Sequence, residues 1–153
     1  MYMKVVLQRV KSGKVTVSEK SISEIKQGYV LLWGIQKGDT FRDADVLIRK
    51  IGNLRVFADD FNKINKSIKE INGEILLVSQ FTLLANISKG NRPSFIDAEE
   101  PSIANKVIKY VAQELSQYGN VKEGIFGEDM NVSINNDGPI TIILECKNGK
   151  LKS

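Results

Sequence analysis

The chain has 153 residues, of which 42% are hydrophobic and 26% charged, with a net charge of +4 and one cysteine. That length and composition suit a single globular domain that buries a core without disulfides, and they exclude a disordered chain. The absence of any histidine excludes every mechanism that runs through imidazole, whether a Ser-His-Asp triad, a Cys-His pair or a histidine-zinc centre.

A sequence pI near 9.1 is compatible with an anionic partner, but the basic residues form no dense stripe of the kind that grips a DNA duplex, so no duplex partner is expected. No run of about 18 uncharged apolar residues occurs, and Met1 to Val5 opens no apolar leader. A cytoplasmic address and no membrane partner are therefore expected. Even composition and the lack of repeats argue for one domain over 1–153.

In chain order, Lys4 to Val10, Lys14 to Ser18 and Tyr29 to Trp33 read as strands punctuated by Gly13, Gly28 and Gly34. Thr40 with Asp43 three residues on forms a helix N-cap, and Ala44, Leu47, Ile48 and Ile51 then recur at helical spacing up to Gly52. Leu54 to Phe57 is a short strand, Asp59 to Asn65 a polar loop, and Asn72-Gly73 a tight turn before a buried strand at Glu74 to Val78.

Ala85 to Glu100 shows no clear periodicity, and a loop of that length is more often functional than filler. Pro101 opens a second helix whose stripe is Ile103, Val107, Tyr110, Val111 and Leu115, with Gly119 as its stop. Met130, Val132 and Ile134 alternate as a strand, Asn135 to Pro139 reads as a turn, and Ile140 to Leu144 as a last strand. Cys146 is expected as a buried thiol, and the lysine-rich tail from about 147 as frayed. Short links between the early strands favour antiparallel pairing. The expected class is α+β: a strongly curved, barrel-like and mainly antiparallel sheet flanked by two helices.

Three segments carry candidate chemistry. Ser79, Gln80, Phe81 and Thr82 emerge where a core strand ends, so their polar groups either line a site or cap the strand. Gly138-Pro139 is ordinarily a turn, but an X-Pro bond held cis would aim its carbonyls rigidly at a ligand. Arg92, with Lys89, belongs to a basic loop that either is simply exposed and solvated or meets phosphate groups.

Arg9-Val10, Ser-Gln-Phe-Thr-Leu at 79–83, Gly-x-Arg-Pro-Ser-Phe at 90–95, Gly-x-Phe-Gly-x-x-Met at 124–130 and Asn-x-Gly-Pro-x-Thr at 136–141 occur in this order. Together they resemble the D-aminoacyl-tRNA deacylases. Lys11 to Val17 lacks the Ala-x-Val pattern common in bacterial members, and Asp97 to Glu100 is more acidic than usual. Neither departure touches the pocket motifs.

The resemblance implies hydrolysis of the ester bond of D-aminoacyl-tRNA, and of mischarged glycyl-tRNA, with L-aminoacyl substrates rejected. It also implies a closed homodimer with active sites at the subunit interface and no metal or cofactor. Ser79, Gln80, Phe81 and Thr82 would line the aminoacyl pocket, Thr82 matching a position once proposed as nucleophile. Gly138 and Pro139 would reach into the partner's pocket and exclude an L side chain. Aminoacyl esters are already activated, so N–H groups near Phe81 and Thr82 could stabilise an oxyanion without histidine, aided by the tRNA's 2'-hydroxyl. The alternative is a non-catalytic RNA-binding or translation-associated module.

Overall fold

The first two expected strands are one. Strand β1 (Met3–Val17) runs through Gly13 without a turn, and a Cβ at Gly13 would stand 2.7 Å from Val30 Cγ2, so glycine is there for close packing. The computed structural model describes residues 2–152, and the two end residues of the domain expected over 1–153 lie outside it. Strand β2 (Lys20–Ile25) was not anticipated. Its polar sequence hides the alternation, and the turn into it uses Ser18 and Glu19 at φ 48° and 65° in place of the usual Asn-Gly.

Strand β3 (Gly28–Gly34) leads to helix α1 (Phe41–Asn53). The expected capping box is present: Thr40 Oγ1 accepts from Asp43 N at 3.4 Å, and Asp43 Oδ2 accepts from Thr40 N at 3.1 Å. The strand expected at Leu54 to Phe57 shrinks to β4 (Phe57–Ala58), which pairs with β5 (Ile64–Lys66) across the polar loop. Asp59 Oδ1 ties that loop by accepting from Phe61 N and Lys63 N.

Strand β6 (Glu74–Ser79) is followed by a 3-10 turn at Phe81–Leu84, helix α2 (Pro101–Leu115) and strand β7 (Asn120–Glu123). In α2 the buried face is Ala104, Val107, Ile108, Val111, Ala112 and Leu115, whereas Ile103, expected in the stripe, is 43% exposed. Strand β8 (Asn131–Lys147) is continuous where a turn and two strands were expected, and β9 (Lys150–Leu151) folds back on its end.

The sheet order is β7-β6-β3-β1-β8-β9, with β2 beside the far half of β1. It is mixed. The pairs around β1 and β8 are antiparallel, but β3–β6 and β6–β7 are parallel, because α1 and α2 supply the crossovers that parallel neighbours require. The sheet curls until β2 meets β7: Ser23 Oγ donates to Glu123 O at 2.6 Å and Lys122 Nζ to Glu24 O at 2.8 Å.

Curling divides the interior in two. One core, including Met3, Val5, Leu7, Trp33 and Leu77, lies beneath α1 and α2; the other, Val10, Val15, Ile25, Val30, Leu76 and Val78, fills the inside of the curl. The N-terminal ends of the three parallel strands pack backbone to backbone. A Cβ at Gly28 would fall 1.8 Å from Glu74 O, and one at Gly119 would fall 2.7 Å from Gly73 O.

The tail expected to fray from about 147 is instead a hairpin. Gly149 N donates to the buried Asp43 carboxylate at 2.8 Å, Lys152 N donates to Glu145 O at 2.8 Å, and Cys146 pairs with Leu151. Cys146 is buried, its Sγ 3.6 Å from Asp43 Oδ1, and burial first, then the neighbouring Asp43 charge, push its thiol up to about 11.

Candidate active site

Strand β6 delivers its last residue, Ser79, opposite Trp33 of β3, and Gln80 N donates to Trp33 O at 2.9 Å. The chain then tightens into the 3-10 turn, over which Gly34 leaves room: a Cβ there would sit 2.5 Å from Leu84 Cδ2 and 3.1 Å from Gln80 O. Buried Leu84 anchors the turn, while Phe81 and Thr82 face outward, Phe81 55% exposed.

The first N–H groups of any helix lack intrahelical acceptors. Here the Phe81 and Thr82 N–H groups have no hydrogen-bond partner among the described residues. Gln80 Nε2 donates to Thr82 Oγ1, so the Thr82 hydroxyl is oriented by an amide and not by a base. Two donors at an exposed strand exit can hold a carbonyl oxygen as it gains charge.

The loop after the turn is less free than its sequence suggests. Asn86 and Ser94 exchange backbone hydrogen bonds of 2.7 and 2.9 Å, closing the segment that carries exposed Lys89 and Arg92. Beyond it, Lys37 N donates to Asp97 O and Glu99 N to Ile35 O, both at 3.0 Å, and Glu99 Oε2 accepts from Gly38 N. The unusual acidic stretch thus fastens the link between β3 and α1. Phe95, to which the sequence alone assigns no role, meets Phe81 edge to face with ring centroids 5.0 Å apart. It joins the Arg92 loop to the 3-10 turn.

Gly138 and Pro139 lie in no turn between strands. Gln8 pairs with Thr141 and Val10 with Asn136, so residues 137–140 leave the β8 ladder opposite Arg9. The Gly138-Pro139 peptide is cis. Asn136 Nδ2 clamps the excursion, donating to Arg9 O at 2.9 Å and Ile140 O at 3.1 Å. Arg9 holds its flank: Nη1 donates to Val56 O at 2.7 Å, and Nε lies 3.2 Å from Asp137 O. Arg9 is only 12% exposed, and an arginine inside an apolar run was the signal available in sequence for this role.

One chain does not bring the two motifs together. Arg9 pairs with Tyr29, which pairs with Ile75, so the excursion shares a row with Ile75, four residues before Ser79 and three strand spacings away. At ~3.3 Å per residue and ~4.8 Å per strand, that is roughly 20 Å along the sheet.

The family model for D-Tyr-tRNA(Tyr) deacylase matches residues 6–145. The chain is 53% identical over 151 residues, covering 98% of this chain and 100% of the relative, to a D-aminoacyl-tRNA deacylase of Staphylococcus aureus strain JH9. Among solved structures it resembles a "c-Myc DNA Unwinding Element Binding Protein" at TM-score 0.89 and 42% identity, covering 95% of this chain and 99% of that one. A "probable eukaryotic D-amino acid tRNA deacylase" shares the fold at TM-score 0.81 and 15% identity, covering 95% and 100%.

Proposed function

Because the chain belongs to the D-Tyr-tRNA(Tyr) deacylase family, and so is a hydrolase of the ester bond in D-aminoacyl-tRNA, we propose that the 3-10 turn after β6 is where that ester is cleaved. The observation that carries this reading is the pair of free N–H groups on Phe81 and Thr82 at an exposed strand exit. They stabilise the oxyanion formed when water attacks the ester carbonyl, a contribution of about 3–4 kcal/mol per donor in other hydrolases. The substrate's terminal 2'-hydroxyl helps to activate the water, since Thr82 Oγ1 faces an amide and not a base. Ser79 and Gln80 line the pocket beside them.

The second half of the site comes from a second copy of the chain. The roughly 20 Å along the sheet between the row of the Gly138 excursion and Ser79 within one protomer supports a homodimer in which each excursion completes the partner's pocket. Its backbone closes the direction an L side chain would take, so D residues fit and glycine, having nothing to reject, is hydrolysed too. Arg92, three residues from the Phe95 that touches Phe81, meets a phosphate of the tRNA end. The reaction takes place in the cytoplasm, where aminoacyl-tRNA is used.

Mixed dimers test the shared site. Gly138→Ala and a Phe81→Ala/Thr82→Pro variant, each inactive alone, should regain about a quarter to a half of wild-type hydrolysis of D-Tyr-tRNA when refolded together, with L-Tyr-tRNA untouched. Failure to complement while the mixed dimer forms would place both motifs in one protomer's site.

A further inference from the structure

Three surface depressions run end to end away from the 3-10 turn. The first is lined by Leu84 of that turn with Tyr2, Lys4, Glu145 and Lys152. The second shares Tyr2 and Lys152 with it and adds Lys147, Asn148, Lys150 and Leu151. The third shares Leu151 and continues along α1 past Arg49 and Lys50 to Arg55.

The charge along this track is one-sided. Its walls carry seven lysines and arginines against the single carboxylate of Glu145, a net +6 on a chain whose total is +4, so the rest of the molecule is net −2. Glu145 is occupied by Lys4 and Lys152, 4.0 and 3.6 Å away. Arg49, Lys50, Arg55, Lys147 and Lys150 form no ion pair among the described residues. The β8–β9 hairpin that presents two of these lysines is anchored to α1 through Gly149 N and Asp43, so the two banks of the track are held in one frame.

We propose that this track, from Leu84 over the β8–β9 hairpin to Arg55, is the docking surface for the phosphodiester backbone of the tRNA acceptor stem. The inference rests on the deacylase reading, which puts the esterified 3' end at the 3-10 turn. The first depression meets the turn at its buried anchor Leu84, and from there the cations follow depressions that share lining residues, a surface on which backbone contacts position a nucleic acid without reading its sequence. That indifference suits an enzyme whose substrates are defined by the amino acid.

The test is binding of uncharged tRNA, by fluorescence anisotropy across a salt series, together with kcat and KM on D-Tyr-tRNA. The variant Arg49→Ala/Lys50→Ala/Lys147→Ala/Lys150→Ala should weaken binding and raise KM on the order of tenfold near 0.15 M salt. The slope of log affinity against log salt should fall by about one for each phosphate left without its cation, with kcat at saturation unchanged. Lys69→Ala/Lys106→Ala, equally exposed cations elsewhere, should change neither. Unaltered binding in the first variant, equal weakening in the second, or a fall in kcat with KM unmoved would each overturn the proposal. A wild-type protein that binds tRNA along the track yet leaves D-Tyr-tRNA intact would instead refute the deacylase reading.

Discussion

Arg9 and Asp137, 128 residues apart in the chain, meet through both backbone and side chain: Arg9 Nε lies 3.2 Å from the Asp137 carbonyl and 3.4 Å from its carboxylate. The same guanidinium reaches Val56 O, so one side chain ties β1, the segment before β4 and the β8 excursion. Replacing it by methionine leaves two acceptors without their donor, which should cost about 1–3 kcal/mol of stability. Arg9→Met is therefore expected to lower the urea midpoint and to depress kcat/KM. Arg9→Lys, which keeps the charge but not the fork, should fall between. Full turnover by a destabilised Arg9→Met would detach the excursion from catalysis.

Gly138 has φ +122°, where side chains are strained, and a Cβ would come 3.0 Å from Ile140 N and 3.1 Å from Arg9 Nη2. Gly138→Ala should shift the excursion by a few tenths of an ångström and cost roughly 1–3 kcal/mol. The expected outcome is a folded dimer by circular dichroism and sedimentation with at least tenfold lower kcat/KM on D-Tyr-tRNA. Wild-type activity and wild-type D/L discrimination would show that nothing at this position touches the substrate.

Thr82→Ala removes the hydroxyl but leaves the backbone N–H. If that N–H is the working group, the variant should keep kcat within about tenfold of wild type. A loss on the order of 10⁴-fold, as when a covalent nucleophile is deleted, would assign the hydroxyl to the bond-forming step. A substrate lacking the terminal 2'-hydroxyl tests the other participant. It should be cleaved far more slowly.

Asp39 sits where α1 begins, accepting from Gln36 N at 2.5 Å. Burial, opposed by that hydrogen bond and reinforced by Asp43 and Glu99, pushes its carboxyl up to about 7. Between the ordinary value of 3.8 and about 7, the folded chain holds a proton that the unfolded chain has released, so stability falls as pH rises through that window. Asp39→Asn keeps an acceptor for Gln36 N without the charge. It should gain on the order of 1 kcal/mol at pH 8, after solvent screening, and almost nothing near pH 4. Urea midpoints that rise equally at both pH values would show that charge is not the cause.

Both helices were legible because their signals are local: Thr40 and Asp43 are three residues apart, and the stripe Val107, Val111 and Leu115 repeats within α2. Strands β2 and β7 were not, since their pairing depends on the curl and their own residues are polar. The motif at Ser79–Thr82 was visible as a change from apolar to polar. The 3-10 turn that frees its N–H groups was not, because what shapes it is Gly34, some fifty residues upstream, and the buried Leu84. Likewise Asn135–Pro139 reads as a turn in any local window. Only the ladder of β1 against both flanks shows an excursion from a single strand.

The crowding of Gly28 and Gly119 at one end of the parallel strands has a practical corollary for anyone reshaping this scaffold. Where carbonyls of one strand lie against the α-carbons of the next, no substituent larger than hydrogen is admitted. The opposite end, where Gly34, Ser79 and Glu123 finish their strands, opens into loops. The molecule thus has a welded end and an end that opens to solvent, and a library meant to alter which aminoacyl group is accepted belongs at exposed positions of the turn such as Phe81 and Thr82, with buried Leu84 and the Asn86–Ser94 closure kept.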